Sequence, residues 1–580
     1  MSRNDEIADR LEEFADRLEA DGVEYKPRTY RRAAENVREY PGDVAGLAAD
    51  DGEAAVGEIE GVGDAISAKI VEYVETGAIE ELDALRAEMP VDIDALTRVE
   101  GVGPKTVGSL YEALGVEDLD DLKAAAEAEE IREVSGFGAK TEQNIRENVA
   151  FAREASERER LGDARPRGEG VVAYLDGQPG VERIDLAGSL RRWKATIGDV
   201  DVLVGSDDAE TVVDAFTDWP DADTVIEAGD QKASVRSGEV RVDLRVVDPT
   251  EFGSALQYFT GSKDHNVTLR NVAIDADLKM NEYGVFDISE ADDPDADQRA
   301  GERVAGETEE GMYEALDLPW MPPEIRENWG EIEAAREGDL PDLVEPSAIR
   351  GDLHTHTGWS DGDHTIAEMV EGAAAFGHDY VAITDHATGP GMVGGVGVPD
   401  EELREQLSEV RAVAAEADIE VFSGVEANVG TDGSVSVADD LLAELDVVVA
   451  SPHSGLDGDG TERLVAAAEH PEVDIIGHPT GRYINQRSGL DLDVDRLASV
   501  AAGTETALEV NSNPARLDLG GGAVKAAVEA GATIAVDTDA HRPESYELVR
   551  YGVHTARRGW AEQTDVLNTR GVEGLREFLE

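Results

Sequence analysis

Asp199 and Asp201 stand two apart at the head of an apolar run, Val202-Leu203-Val204, and Asp243 lies inside a second run, Val240 to Val247. Both runs read as β-strands, and residues two apart on a strand share a face, so Asp199 and Asp201 are expected to point together. Three converging carboxylates suit Mg²⁺. A pair of such ions can clamp the attacking and leaving oxygens of a phosphoryl or nucleotidyl transfer. Just upstream, Gly188-Ser189, Arg192 and Gly198 offer small and cationic contacts for a polyphosphate. An isolated Asp-x-Asp is more often a solvated surface pair. The Gly-Ser ahead of it at this spacing makes a site of it.

A second concentration of chemistry lies near the other end. Ten of the eleven histidines fall beyond residue 350. His354-Thr355-His356 is a strand-type pair with both rings on one face. Asp361, Asp385-His386, Glu426, His453, His478 and Asp539-Ala540-His541 follow. Imidazole and carboxylate without sulfur suit Zn²⁺ or Mn²⁺. Several such ions together can activate a water and stabilise a phosphoryl transition state. Any single histidine is more often a satisfied core residue, and His364, His378, His470 and His554 are assigned to that class. Arg482 is open between a substrate phosphate contact and a surface role.

A third motif occurs three times. Ile59-Glu60-Gly61-Val62-Gly63, Val99-Glu100-Gly101-Val102-Gly103 and Val134-Ser135-Gly136-Phe137-Gly138 each precede an amphipathic helical pattern. A Gly-x-Gly turn opening a helix leaves N–H groups outward at the positive end of the helix dipole, where a phosphate can sit. The three turns resemble helix–hairpin–helix motifs, and that resemblance implies Gly61, Gly63, Gly101, Gly103, Gly136 and Gly138 as DNA-backbone contacts. The third turn, with Phe137 in it, could instead pack a domain boundary.

The elements that must position these residues change along the chain. Up to about residue 155 the period is helical, with Ile7, Leu11, Phe14 and Leu18 on one face. Strands follow from about 168 to 250. A proline cluster, Pro319, Pro322 and Pro323, closes a mixed region, and the acidic stretch Glu331 to Pro346 reads as a linker. Beyond Ala348, short apolar strands alternate with alanine-rich helices, the pattern of a βα barrel or layered α/β domain. The 580 residues suit several domains.

There is no cysteine, which excludes disulfides, thiolate metal sites and cysteine nucleophiles. The first ten residues carry Asp5, Glu6 and Asp9 and do not read as a signal peptide. With no apolar run of membrane length, a cytoplasmic protein without a membrane partner is expected. The balance of 51 basic against 128 acidic residues gives a net charge of -77. Acidity spread over a globular pattern points to adaptation to molar salt, where the Debye length shrinks to ~3 Å and self-repulsion is tolerable. Net charge is then no argument against a nucleic-acid partner.

At Gly188-Ser189-Leu190-Arg191-Arg192-Trp193 through Asp199-Val200-Asp201 the chain resembles the nucleotidyltransferase superfamily, and within it the family X DNA polymerases. Tyr258-Phe259-Thr260-Gly261-Ser262-Lys263-Asp264-His265-Asn266-Val267-Thr268-Leu269-Arg270 resembles that family's thumb motif, and Asn281-Glu282-Tyr283 also matches. The resemblance implies that Tyr258 and Phe259 flank the incoming sugar, Asn266 reaches the nucleotide, Gly261 belongs to the same nucleotide-binding set and Arg270 lies along the template minor groove. Trp193, where the beta enzyme has a glycine, and Lys263, where it has an acid, look like the bacterial and archaeal branch. Lys69 lies where the beta-type enzyme has its Schiff-base lysine, and Tyr25 to Arg32 resembles its 5′-phosphate pocket. Lys69 stays open between a lyase nucleophile, a backbone contact and a plain surface lysine. The histidine-rich segment resembles the PHP (polymerase and histidinol phosphatase) domain. By that resemblance His354, His356, Asp361, His386, Glu426, His453, His478, Asp539 and His541 hold three metals, Asp361 competing with nearby Asp363.

The resemblance implies a multidomain α+β and α/β chain. Its parts are an 8-kDa-like helical domain at 1–90, a fingers-like domain at 91–165, a nucleotidyltransferase palm at 166–250, a thumb at 251–330, a linker at 331–347 and a PHP distorted βα barrel at 348–580. The implied function is filling of short gaps in DNA repair with Mg²⁺, alongside 3′–5′ exonuclease or 3′-end cleaning with Mn²⁺ or Zn²⁺. Gapped or nicked DNA and deoxynucleoside triphosphates are the expected partners of a monomer. Three rivals remain. One is a phosphoesterase whose polymerase half only binds DNA. The others are a non-catalytic scaffold for DNA ends and a small-molecule nucleotidyltransferase, against which the hairpins argue.

Overall fold

The computed structural model describes the chain except residues 1, 2, 24, 25, 39, 41–43, 58, 60, 98, 100, 157, 239, 291, 292, 294–296, 393–395 and 580. Tyr25, Glu60 and Glu100 of the motifs above therefore lie outside the described residues. The chain forms two compact units, residues 1–158 with 485–487 and residues 159–484 with 488–580. No helix among the described residues is long and apolar enough to cross a membrane.

The first unit is built of helices around two cores. The helix Arg3–Ala20 buries Ile7, Leu11, Phe14 and Leu18, spaced to lie along one stripe. They pack with Ala33, Val37, Ile66 and Ile70 of the helices that follow. A second core gathers Val91, Leu96, Val102, Leu110, Leu122 and Ile145.

In the second unit a five-stranded sheet runs in the order Arg183–Leu186, Val200–Gly205, Val240–Val247, Lys232–Ser237, Thr224–Ala228. Its central pair is parallel, with Asp201 beside Asp243 in register. The helix Leu161–Asp176 packs on it through Leu161, Ala164 and Val171. The boundary expected at 165/166 thus falls inside a helix. The break lies at 158/159, because Leu161 and Ala164 are already committed to the core beneath this sheet.

The thumb joins the helices Phe252–Thr260 and Lys263–Asp275 to a three-stranded sheet, Leu278–Asn281, Gly284–Asp287 and Glu302–Ala305. The expected linker at 331–347 is corrected. Its first half is a helix, Glu331–Glu337, whose Ile332 and Ala335 lie in the thumb core. Buried Glu331 accepts a 2.6 Å hydrogen bond from His265 Nδ1. Acidity reads as solvent in sequence, but here a buried imidazole donor makes it structural.

The remaining domain carries seven parallel strands in sequence order, from Gly351–Asp352 to Ile534–Asp537. Helices cover the sheet, so strands such as Val447–Ser451 are buried along their whole length. The first strand also meets the last: Thr355 bridges Ala540, and the His356 N–H donates to the Ala540 carbonyl at 2.8 Å. The sheet is thereby drawn into a distorted barrel with its C-terminal rim on one side.

Two candidate active sites

Asp201 occupies the second position of the strand Val200–Gly205, and Asp199 immediately precedes that strand, after a bend at Gly198. Pairing with Val240–Val247 sets Asp243 alongside. Burial first, then the Asp199 and Asp243 charges, push the Asp201 carboxyl up to about 7. Such crowding of anions is relieved by a bound cation. Arg241 Nε donates to Asp243 Oδ1 at 2.9 Å. The cleft over these acids is lined by Lys232, Ser234, Arg245 and Phe259.

Gly188 opens a short helical turn over the acids with φ +64, and a β-carbon there would lie 2.1 Å from Asp201 Oδ2. Only glycine fits. Ser189 is half-buried beside it, and Gly198 is exposed at the strand's entrance. Arg192, expected on the triphosphate, is engaged elsewhere here. Its Nε donates to Glu327 Oε1 at 3.0 Å and its Nη1 to the Thr260 carbonyl at 2.6 Å.

Tyr258 and Phe259 meet edge to face at 5.2 Å, and the Arg245 guanidinium lies 4.2 Å over the Phe259 ring. The Asn266 amide donates to the Tyr258 and Gly261 carbonyls, at 2.7 and 3.2 Å. A β-carbon at Gly261 would come within 2.5 Å of Asn266 Oδ1. Arg270 is exposed on the helix Lys263–Asp275.

On the barrel rim the ligand candidates follow the strand ends. His386 comes three residues after Tyr380–Ile383, His453 two after Val447–Ser451, His478 two after Ile475–Ile476 and Asp539 two after Ile534–Asp537. All nine converge in four overlapping groups: His356, Asp361, His386 and His541; His354, Glu426 and His478; His354, His356 and Asp539; His386, Glu426 and His453. Glu426, fully buried, has one oxygen 2.9 Å from His478 Nε2, 3.3 Å from His453 Nε2 and 3.4 Å from His354 Nε2. Asp539 Oδ1 lies 3.1 Å from His356 Nε2, and Asp361 Oδ1 3.2 Å from His541 Nε2. Asp361, not Asp363, is the carboxylate that reaches the cluster.

The buried nitrogens His354 Nε2, His356 Nδ1 and Nε2, and His453 Nε2 have no hydrogen-bond partner. Burial first, and then the neighbouring His386 and His541, push the His356 ring down to about 3, which keeps the ring neutral with one nitrogen lone pair available. Buried, unsatisfied donors and acceptors facing one another in this way fit divalent cations.

Residues that sequence reasoning missed hold these ligands. Glu509 Oε1 takes a 2.6 Å hydrogen bond from His354 Nδ1, and Asn428 Oδ1 one of 2.8 Å from His453 Nδ1, so each ring presents Nε2 inward. Glu509 lies in the apolar run Ala507 to Val510, where a lone carboxylate was the available signal; Asn428 ends the strand Glu420–Asn428, which sequence reasoning did not single out. Arg516 Nε is 3.8 Å from Asp539 Oδ2 and is the cation nearest the cluster among the described residues. Arg482 is half-buried and donates to the Arg516 and Leu517 carbonyls.

The three glycine turns share one geometry. The N–H of Val62, Val102 and Phe137 donates back three residues, to Ile59, Val99 and Val134, at 3.0, 2.9 and 3.1 Å. The glycine before each, Gly61, Gly101 and Gly136, has φ of +76, +83 and +97, as the third position of a type II turn requires. Gly63 and Gly103 then cap the helices Asp64–Thr76 and Pro104–Leu114, and Gly138 precedes Ala139–Ser156. All six glycines are exposed. Phe137 packs partly against the second helical core. Lys69 is less available than expected: its Nζ is 2.5 Å from Glu81 Oε2 and 5.1 Å over the Phe14 ring. Arg31 of the neighbouring segment is likewise held by Asp16 and Glu19.

A relative in Bacillus subtilis, named DNA polymerase/3'-5' exonuclease PolX, is 36% identical over 529 residues, covering 90% of each chain. The chain belongs to the PolX family. Within this group of family X polymerases with a PHP domain, further matches mark the separate parts. They are the DNA polymerase beta thumb over residues 255–327, a helix-hairpin-helix domain over 2–79, a helix-hairpin-helix tandem over 54–114 and 93–149, and the PHP domain over 352–512. DNA polymerase lambda of Rattus norvegicus is 25% identical over 342 residues, 55% of this chain and 56% of that one. A probable phosphatase of Caldanaerobacter subterraneus is 31% identical over 208 residues, 33% of this chain and 75% of its own. Asp539 and His541 lie beyond the matched PHP segment, yet the fold of this PolX chain returns them to the same cluster.

Proposed function

We propose that the protein fills short gaps in DNA during base excision repair and trims or cleans 3′ ends with its PHP domain. The observation that carries the reading is the presence in one chain of two sets of candidate metal ligands, the carboxylates Asp199, Asp201 and Asp243 beneath Gly188, and the nine-residue histidine and carboxylate cluster on the barrel rim.

In the palm, Asp199, Asp201 and Asp243 would hold Mg²⁺, which supplies charge neutralisation for the primer oxygen and the pyrophosphate. Gly188 and Ser189 admit the triphosphate close to the backbone, and Arg192 turns to it from Glu327. The primer 3′-oxygen bonds to the α-phosphorus, the bond to pyrophosphate breaks, and Asp243 helps to take the hydroxyl proton. Tyr258, Phe259 and Asn266 shape the nucleotide pocket, Arg270 follows the template, and the glycine turns grip phosphates without reading bases.

On the rim, His354, His356, Asp361, His386, Glu426, His453, His478, Asp539 and His541 would hold Mn²⁺ or Zn²⁺, which lowers the pKa of a bound water. Glu509 and Asn428 keep the rings oriented. Hydrolysis of the terminal phosphodiester releases a nucleotide. Arg516 is placed to meet the phosphate. Lys69 is the lyase nucleophile of the reading, with its amine held in reserve by Glu81.

The test is extension of a labelled primer on one-nucleotide-gapped DNA in molar KCl with Mg²⁺ or Mn²⁺. Asp199→Ala/Asp201→Ala is expected to lose extension only, and His354→Ala/His356→Ala to lose shortening only. A wild-type chain that shortens primers and never extends them would leave the phosphoesterase reading in its place.

A further inference from the structure

The polymerase palm and the PHP domain share a buried seam, and its centre is the loop that carries the nucleotide contacts. Trp193 is clasped there. The His554 ring stacks on it at 3.6 Å and 5°, and the Arg165 guanidinium lies 3.3 Å from its centroid. Two groups that close to one ring centre must occupy opposite faces. Arg165 comes from the palm helix Leu161–Asp176, His554 from the PHP helix Val549–Arg558. The clasp falls on a residue with φ +54, a conformation that a β-carbon disfavours.

One turn further along the same PHP helix, Arg558 Nη1 donates to the Arg192 carbonyl at 2.6 Å and to Glu327 Oε1 at 3.0 Å. That oxygen is the one Arg192 Nε also holds, at 3.0 Å. Glu327 is thus a buried carboxylate with two arginines, one from each domain. If Arg192 were its sole partner, release toward a triphosphate would strand a buried charge. With Arg558 in place, Glu327 keeps a partner while Arg192 moves.

We infer that the PHP helix Val549–Arg558 is a positioning element of the polymerase site: His554 holds the loop through Trp193, and Arg558 keeps Glu327 neutralised so that Arg192 is free to bind the triphosphate. This rests on the reading of Arg192 as a triphosphate contact. It gives the PHP domain a role in synthesis separate from its own hydrolysis.

The experiment uses the full chain on one-nucleotide-gapped DNA, reading KM for the nucleotide, kcat, 3′-end hydrolysis and melting temperature. Arg558→Met is expected to raise the nucleotide KM about tenfold with a smaller change in kcat. Arg558→Lys should restore part of it. His554→Ala should raise KM, and His554→Phe, which keeps the stack, should not. Hydrolysis should be unchanged in all four. In an Arg192→Ala background, Arg558→Met should change KM less than about twofold, because the two act through one residue. The inference is overturned if Arg558→Met and His554→Ala, with melting unchanged, leave KM at the wild-type value, or if Arg558→Met raises KM equally with and without Arg192. If Arg192→Ala itself leaves KM unchanged, the premise about Arg192 is what fails, and a wild-type chain without extension instead sinks the polymerase reading.

Discussion

Glu324→Gln removes one buried charge from the seam between thumb and PHP domain. Glu324 Oε1 accepts from His554 Nδ1 at 2.8 Å and from Arg557 Nε at 2.7 Å. Burial alone would raise its carboxyl; His554 and Arg557 outweigh that and hold it at about 2, against an ordinary 4.5. The difference corresponds to about 3.4 kcal/mol of stability at neutral pH. The folded value lies below the unfolded one, so the contribution is complete above the unfolded pKa and is lost as pH falls through the folded one. About 2.6 kcal/mol should remain near pH 4 and about 1.4 kcal/mol near pH 3. Urea unfolding of wild type and variant, followed by tryptophan fluorescence from neutral pH down to about 3, measures the gap; Trp193 stacks on His554 and reports locally. The expected result is a gap of about 3 kcal/mol at neutrality that narrows steadily below about pH 5. A gap that does not change with pH, or one under about 0.5 kcal/mol at neutrality, would show that the seam does not hold this charge as the geometry requires.

Glu509→Gln should weaken PHP metal retention about 10–100-fold by loosening His354, while gap filling persists; metal content after dialysis measures it. Gly188→Ala should abolish extension and spare hydrolysis, since its β-carbon would sit 2.1 Å from Asp201 Oδ2; an active variant would contradict that placement. Glu81→Gln should increase borohydride trapping of abasic DNA on Lys69, because it removes the ion pair at 2.5 Å; trapping that survives Lys69→Ala would assign the nucleophile elsewhere. Gly101→Val should weaken gapped-DNA binding at fixed salt without loss of palm chemistry, because φ +83 excludes a β-branched residue; unchanged affinity in a direct titration would remove that hairpin from the DNA grip.

Much of this molecule was written locally. The repeated glycine turns are short-range objects: a glycine at positive φ, with the next residue's N–H closing a bond three positions back, is decided by five consecutive residues, which is why three copies could be read without a fold. The stripe Ile7, Leu11, Phe14, Leu18 and the short apolar runs of the barrel strands are equally local, as helical or strand period exposes them directly. The metal-ligand candidates were legible because histidine and carboxylate without cysteine admit few other chemistries at such density. What tertiary structure alone decided was pairing. Asp361 rather than Asp363 reaches the cluster because the loop after His356 folds back toward His386 and His541. Glu331 became core rather than linker because His265, 66 residues earlier, meets it. Arg192 meets Glu327 and Arg558, 135 and 366 positions away, and no local pattern encodes such partners. Burial makes each of these charges matter: in water an arginine's neighbour is incidental, whereas in the seam it must be supplied by another part of the fold.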